Sequence, residues 1–101
     1  MTITIDSVLS HDAELRTCGI DGAEIVLHIG AGNAGFPFEA RIPVDPGPLA
    51  RIRAEERVAP LKVGTSVRIR CDYVEPRTDH GMAVICMRRV TSAIVGGKVL
   101  F

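Results

Sequence analysis

The stretch Val67-Arg68-Ile69-Arg70-Cys71-Asp72-Tyr73 alternates apolar and charged residues without a break. A strand turns successive side chains to opposite faces, so Val67, Ile69, Cys71 and Tyr73 are predicted on one face and Arg68, Arg70 and Asp72 on the other. This period of two is the clearest structural signature in the chain, and it decides for β-structure. Val63-Gly64-Thr65-Ser66 forms the turn that leads into it. On its far side Glu75-Pro76-Arg77-Thr78-Asp79-His80-Gly81 reads as a polar loop, and Met82 to Val90 as a nearly continuous apolar strand ending on Arg88-Arg89.

Working back toward the N-terminus, Leu49 to Ala59 is the one segment with helical character, and its 3.6-residue spacing, carried by Leu49, Ile52 and the Glu56/Val58 region, is only partial. Asp45-Pro46-Gly47-Pro48 separates it from a strand in which Phe36, Phe38, Ala40 and Ile42 alternate with Pro37, Glu39, Arg41 and Pro43. The two prolines place at least the ends of that strand on an edge. Gly30-Ala31-Gly32-Asn33-Ala34-Gly35 reads as a flexible loop; it lacks the lysine and following helix of a phosphate-binding loop. Before it, Ile25, Leu27 and Ile29 alternate with Glu24, Val26 and His28. The turn dipeptide Asp21-Gly22 joins this strand to a first one over residues 2–9, extended through Glu14-Leu15-Arg16. Residues 92–101 are expected either as a sixth short strand or as an arm that pairs with another subunit.

A length of 101 residues suits a single domain with one core. With 47% hydrophobic and 24% charged residues the chain is too apolar for disorder and too interrupted by charge for a membrane span. No secretory signal is readable at Met1-Thr2-Ile3-Thr4-Ile5-Asp6, so a cytoplasmic location is the expectation. Cys18, Cys71 and Cys86 form an odd set without a CxxC pair, which suits reduced and mostly buried thiols better than disulfides or zinc. The formal charge is zero, yet residues 1–50 hold seven acidic against two basic residues and residues 51–101 hold ten basic against five acidic. The second half is therefore able to present a basic face to a polyanion.

Strand, strand, strand, helix, strand, strand within about 100 residues is the order of a five-stranded oligonucleotide/oligosaccharide-binding (OB) barrel, an all-β fold with one short helix between strands three and four. Two stretches carry a resemblance to a family with that fold. Val8-Leu9-Ser10-His11-Asp12-Ala13-Glu14-Leu15-Arg16-Thr17-Cys18-Gly19 resembles the opening of bacterial and phage single-stranded DNA-binding proteins, where a strand runs into a "DPELR" segment; here Ala13 replaces the proline. Leu61-Lys62-Val63-Gly64-Thr65-Ser66-Val67-Arg68-Ile69 looks like that family's "L-K-K-G-S-x-V-x-V" approach to its fourth strand. Short primosomal replication proteins of the PriB type share the barrel and the size. The resemblance implies sequence-tolerant binding of single-stranded DNA in replication, recombination or repair, by a homodimer or homotetramer, with replication or primosome proteins as further partners and no membrane, cofactor or metal. The chain departs from the family in having no tryptophan, few aromatics and no acidic tail.

An OB barrel binds across its second and third strands and the loops that follow strands one and four. That rule selects Phe36, Phe38, Arg41, Arg68, Arg70, Tyr73, Arg77, His80 and Arg88. The resemblance sets a base-stacking aromatic at Phe38, against a core role for one or both phenylalanines. The arginines suit phosphate pairing or stacking on bases, against a solvated or ion-paired outer face. Arg51, Arg53 and Arg57 read as solvating charges on the helix. Because Arg88-Arg89 points to both faces of a strand, at most one of the two is expected on a binding surface. His11, His28 and His80 share no ligand spacing, and no nucleophile motif or placed acid-base pair is present, so an enzyme is not expected. Two rival readings remain at this point: an OB protein-interaction module with little or no DNA affinity, favoured by the zero net charge, and a carbohydrate- or nucleotide-binding barrel.

Overall fold

A computed structural model describes residues 2–19, 22–30, 37–79 and 81–101. Among them the chain is all-β with one helix: β1 (Ile3–Val8), β2 (Glu14–Cys18), β3 (Gly22–Ile29), β4 (Phe38–Val44), α1 (Pro48–Val58), β5 (Ser66–Asp79), β6 (Met82–Val95) and β7 (Lys98–Val99). The strands form one sheet in the order β1-β5-β6-β4-β3-β2, with β7 added on β6. All pairings are antiparallel except β4 with β6, which run parallel. No helix among the described residues is long and apolar enough to cross a membrane.

The first strand expected from the sequence is two strands here. Residues 9–13 bend the chain between β1 and β2, and at the bend Leu9 bridges to Ile29 of β3. Gly30 N–H donates to the Val8 carbonyl at 3.0 Å and Ser10 N–H to the His28 carbonyl at 2.9 Å. The bend thus keeps its backbone groups satisfied, as buried backbone requires.

The core forms where inward-facing rows meet. Ile25, Leu27, Ile29, Ala40 and Ile42 face Val67, Ile69, Cys71, Met87, Ala93 and Val95, all buried. Each fully buried aliphatic side chain contributes about 1.5–3 kcal/mol. α1 starts at Gly47-Pro48, where the proline fits the first helical turn. It covers one end of this core with Ala54 and Val58, whereas Leu49 and Ile52, the apolar positions that suggested the helix, are exposed. Small Ala54 allows a close approach, and Arg51 fastens the helix to β2 through a 2.9 Å hydrogen bond to Thr17 Oγ1.

β5 and β6 are longer than the sequence suggested. The segment read as a polar loop, Glu75 to Asp79, continues β5 in register with β6, from Glu75↔Cys86 to Asp79↔Met82. β6 also runs on past Val90 to Val95. At Gly96-Gly97, both with positive φ (61° and 81°), the chain turns back and β7 pairs β6. Leu100 N–H then donates to the Ala93 carbonyl at 2.8 Å and Leu100 is buried, so the C-terminal segment folds onto its own chain as a short strand. The proline rule holds locally: β4 meets β6 only over Phe38 to Ala40, so Pro43 lies where β4 has a single partner strand, β3.

Candidate nucleic-acid interface

The pairing registers define rows that cross four strands. Leu27, Ala40, Met87 and Val74 form one row, with the first three in the core; the next row, displaced by one residue, is His28, Glu39, Cys86 and Glu75 on the opposite face. Arg41 and Arg77 flank this outer row through Glu39, and Arg88 flanks it through Glu75. The outer face of β3, β4, β6 and β5 thus gathers three of the arginines selected from the sequence.

Its centre is a carboxylate. Glu39 is only 3% exposed. Its Oε1 accepts from Arg41 Nε at 2.6 Å and from Arg77 at 3.4 Å, while Arg41 also reaches Glu24 at 3.4 Å. The hydrogen bond to Glu39 raises the Arg41 pKa above its ordinary value, against the opposing cost of burial. Arg88 pairs with Glu75 at 3.0 Å. A buried acid between two arginines was not foreseen; the one available signal was the Glu39/Arg41 spacing, which places both on one face of a strand.

A bend in the β5–β6 ribbon aims the rest. Cys71↔Val90 and Val74↔Met87 are register pairs three residues apart on both strands, and Cys71, Met87 and Val90 lie in or against the core. Strict alternation cannot give a spacing of three, so both strands change face together between these pairs. Arg89 makes this possible with φ of 52°, the one positive φ at a non-glycine residue among the described residues, beside a register shift at Arg70/Cys71. Tyr73 is therefore not on the Cys71 face as alternation predicted: it is 46% exposed and stands opposite Arg88. Arg89 is exposed and Arg88 half-exposed, so both reach solvent, where at most one was expected on a binding surface.

The remaining selected residues divide as follows. Arg70 is exposed on β5 and has no carboxylate partner among the described residues; Arg89 shares that property. Arg68 is held by Asp6 of β1 at 2.7 Å, which raises its pKa. Phe38 lies on the inward face, opposite Ile29 and Ile85, and packs against the core, away from the Glu39 row. Phe36 and His80 lie outside the described residues. Although distant in sequence, His11 and His28 bring their rings to 5.3 Å in an edge-on contact beside Glu14, which is 3.9 Å from His28 Nε2. Cys71 and Cys86 are free and buried, and burial pushes the Cys71 thiol pKa up.

The turn before β3 and the turn before β6 are at opposite ends of the sheet, because β3 is antiparallel to β4 and β4 parallel to β6. Pro37 stands at the β6 end: Ile85 N–H donates to the Pro37 carbonyl at 2.9 Å. From the bend outward, Tyr73, Val74 and Met82 are exposed apolar residues on the ribbon, Tyr73 and Val74 at the bend and Met82 at its tip. No protein family, curated protein or solved structure matches this chain.

Proposed function

We propose that this chain is a single-stranded DNA-binding protein built on a five-stranded OB barrel, with β1 and β2 as the two halves of its first strand. The barrel reading is supported by the strand path, whose two ends, β1 and β2, are chain neighbours, by the Leu9–Ile29 bridge, which ties the segment after β1 to β3, and by the parallel β4–β6 pair. The observation that carries the binding reading is the exposed Tyr73 at the ribbon bend, opposite Arg88 and near Arg70 and Arg89, two arginines without a carboxylate partner among the described residues. Aromatic stacking on a base contributes about 1–3 kcal/mol, and uncommitted guanidinium groups add phosphate contacts. Tyr73 takes the stacking role that the resemblance gave to Phe38. A role in replication, recombination or repair follows from that activity. A homodimer or homotetramer belongs to the same reading, since β1 ends the sheet path and its outer edge along Ile3 to Ser7 has no partner strand among the described residues.

One observation favours a second reading, an OB protein-interaction module with little DNA affinity: Arg41, Arg68, Arg77 and Arg88 are each already held by a carboxylate. Anisotropy of labelled poly(dT) at low and moderate salt separates the two. Single-strand binding requires affinity that falls with salt, weakens on the order of tenfold with Tyr73→Ala, and loses about 0.7 of its logarithmic salt slope with Arg70→Ala. Absence of binding at low salt excludes it and leaves the interaction module.

A further inference from the structure

A groove of about 410 Å³ runs between α1 and the segment from Val95 to Leu100. Its floor is aliphatic, with Leu61, Val95 and Leu100 all buried beneath it, and Val99 stands on its wall 75% exposed. Arg53 and Arg57 line it from one helical turn to the next, and Lys98 lines it from β7. Among the described residues none of these three cations has a carboxylate within ion-pair distance. Arg16, Arg41, Arg51, Arg68, Arg77 and Arg88, by contrast, are all paired. Glu56 is the one acidic residue on the lining, so the groove carries a net positive charge. A second hollow, which shares Arg53, Arg57 and Leu100, extends it toward Ile42 and Val44.

We propose that this groove is a docking site for a short acidic peptide segment of a partner protein that also carries an aliphatic side chain. Charge complementarity selects the occupant: carboxylates satisfy Arg53, Arg57 and Lys98, and the aliphatic group covers Leu61, Val95 and Val99. Arginines four apart on a helix have Cβ atoms about 5–6 Å from each other, close to the roughly 6.6 Å that two residues of an extended peptide advance. The larger hollow itself offers no aromatic platform for a nucleobase, the exposed Phe101 lining only the second, and its volume is in the range that takes a few side chains. The site lies at the Val95 end of β6, whereas the tip of the β5–β6 ribbon is at the Met82 end, and it does not depend on the nucleic-acid reading.

The test is fluorescence anisotropy of a short labelled peptide of aspartate and leucine. Peptides of aspartate and serine and of lysine and leucine run in parallel, with poly(dT) as competitor. Binding of the aspartate–leucine peptide that weakens roughly tenfold or more in the Arg53→Ala/Arg57→Ala double variant and in Val99→Asp supports the site. All three positions are exposed, and an unchanged melting temperature shows that the variants fold. The proposal is overturned if the aspartate–leucine peptide does not bind, if the aspartate–serine peptide binds as tightly, or if poly(dT) displaces the peptide. The last result would make the groove a track for polyanions.

Discussion

The two ends of the β5–β6 ribbon share a continuous pairing and little else. At the base, Val67↔Val95 and Ile69↔Ala93 are pairs in which every side chain is buried; past the bend, Tyr73, Val74 and Met82 stand in solvent on the same two strands. Backbone hydrogen bonds are alike along the ladder, so what differs is apolar burial. The base therefore carries most of the apolar burial; past the bend β6 is still covered at Cys86 and Met87 beside β4, whereas β5 from Asp72 to Pro76 is exposed and is the low-stability kind of element from which contact surfaces are drawn.

The largest effect that would sharpen this contrast is at the base. Ile69→Ala is expected to lower unfolding stability by about 2–5 kcal/mol in urea titrations, because Ile69 is wholly buried and its loss leaves a cavity. Glu39→Gln is expected to cost about 2 kcal/mol in the same measurement, since two arginines lose their shared carboxylate. A smaller loss is expected at alkaline pH. The Cys71 thiol pKa is raised by burial, so the unfolded chain ionises this thiol first; the contribution is complete below the unfolded thiol's pKa and disappears as pH rises through the folded one. That part of the alkaline slope should vanish in Cys71→Ala. Tyr73→Ala, on the distal half, is expected to change stability by less than about 0.5 kcal/mol; a loss comparable to that of Ile69→Ala would break the comparison. Asp6→Asn should leave the urea midpoint unchanged, because the Asp6–Arg68 pair is exposed. Hydrogen exchange offers the same contrast without mutation, with amides of residues 74, 75, 77 and 78 expected to exchange before those of 67–71.

How much of this was legible in the sequence follows from the same physics. Val67 to Cys71 could be read because one face of that strand packs on the core and the other meets water, which writes alternation into the residues. Glu75 to Thr78 could not, because none of these β5 side chains is buried, and a segment with no side chain in the core has no reason to alternate. The change of face at Tyr73 was hidden for a different reason: it depends on the backbone of Arg89, which has the same composition signal as any surface arginine. At the helix, spacing found the element and its buried Val58 but misplaced the rest of the buried face, since Leu49 and Ile52 are larger and more apolar than Ala54, whose small size decides the packing. The candidate site was legible in its arginines and illegible in their partners. Pairing of Arg77 with Glu39 needs three strands brought side by side, which no local pattern records.

The bend at Arg89 gives the ribbon something like a reading frame. Side chains along β5 and β6 are assigned to inside or outside by counting from it, as codons are counted from a start. Removing one residue of β6 between the bend and the register shift would act as a frameshift, and everything on the distal side would be read in the wrong phase. Cys86 and Arg88 would then be offered to the core and Met87 to the solvent. The ribbon is consequently tolerant of substitutions at its exposed positions and intolerant of a single change in count.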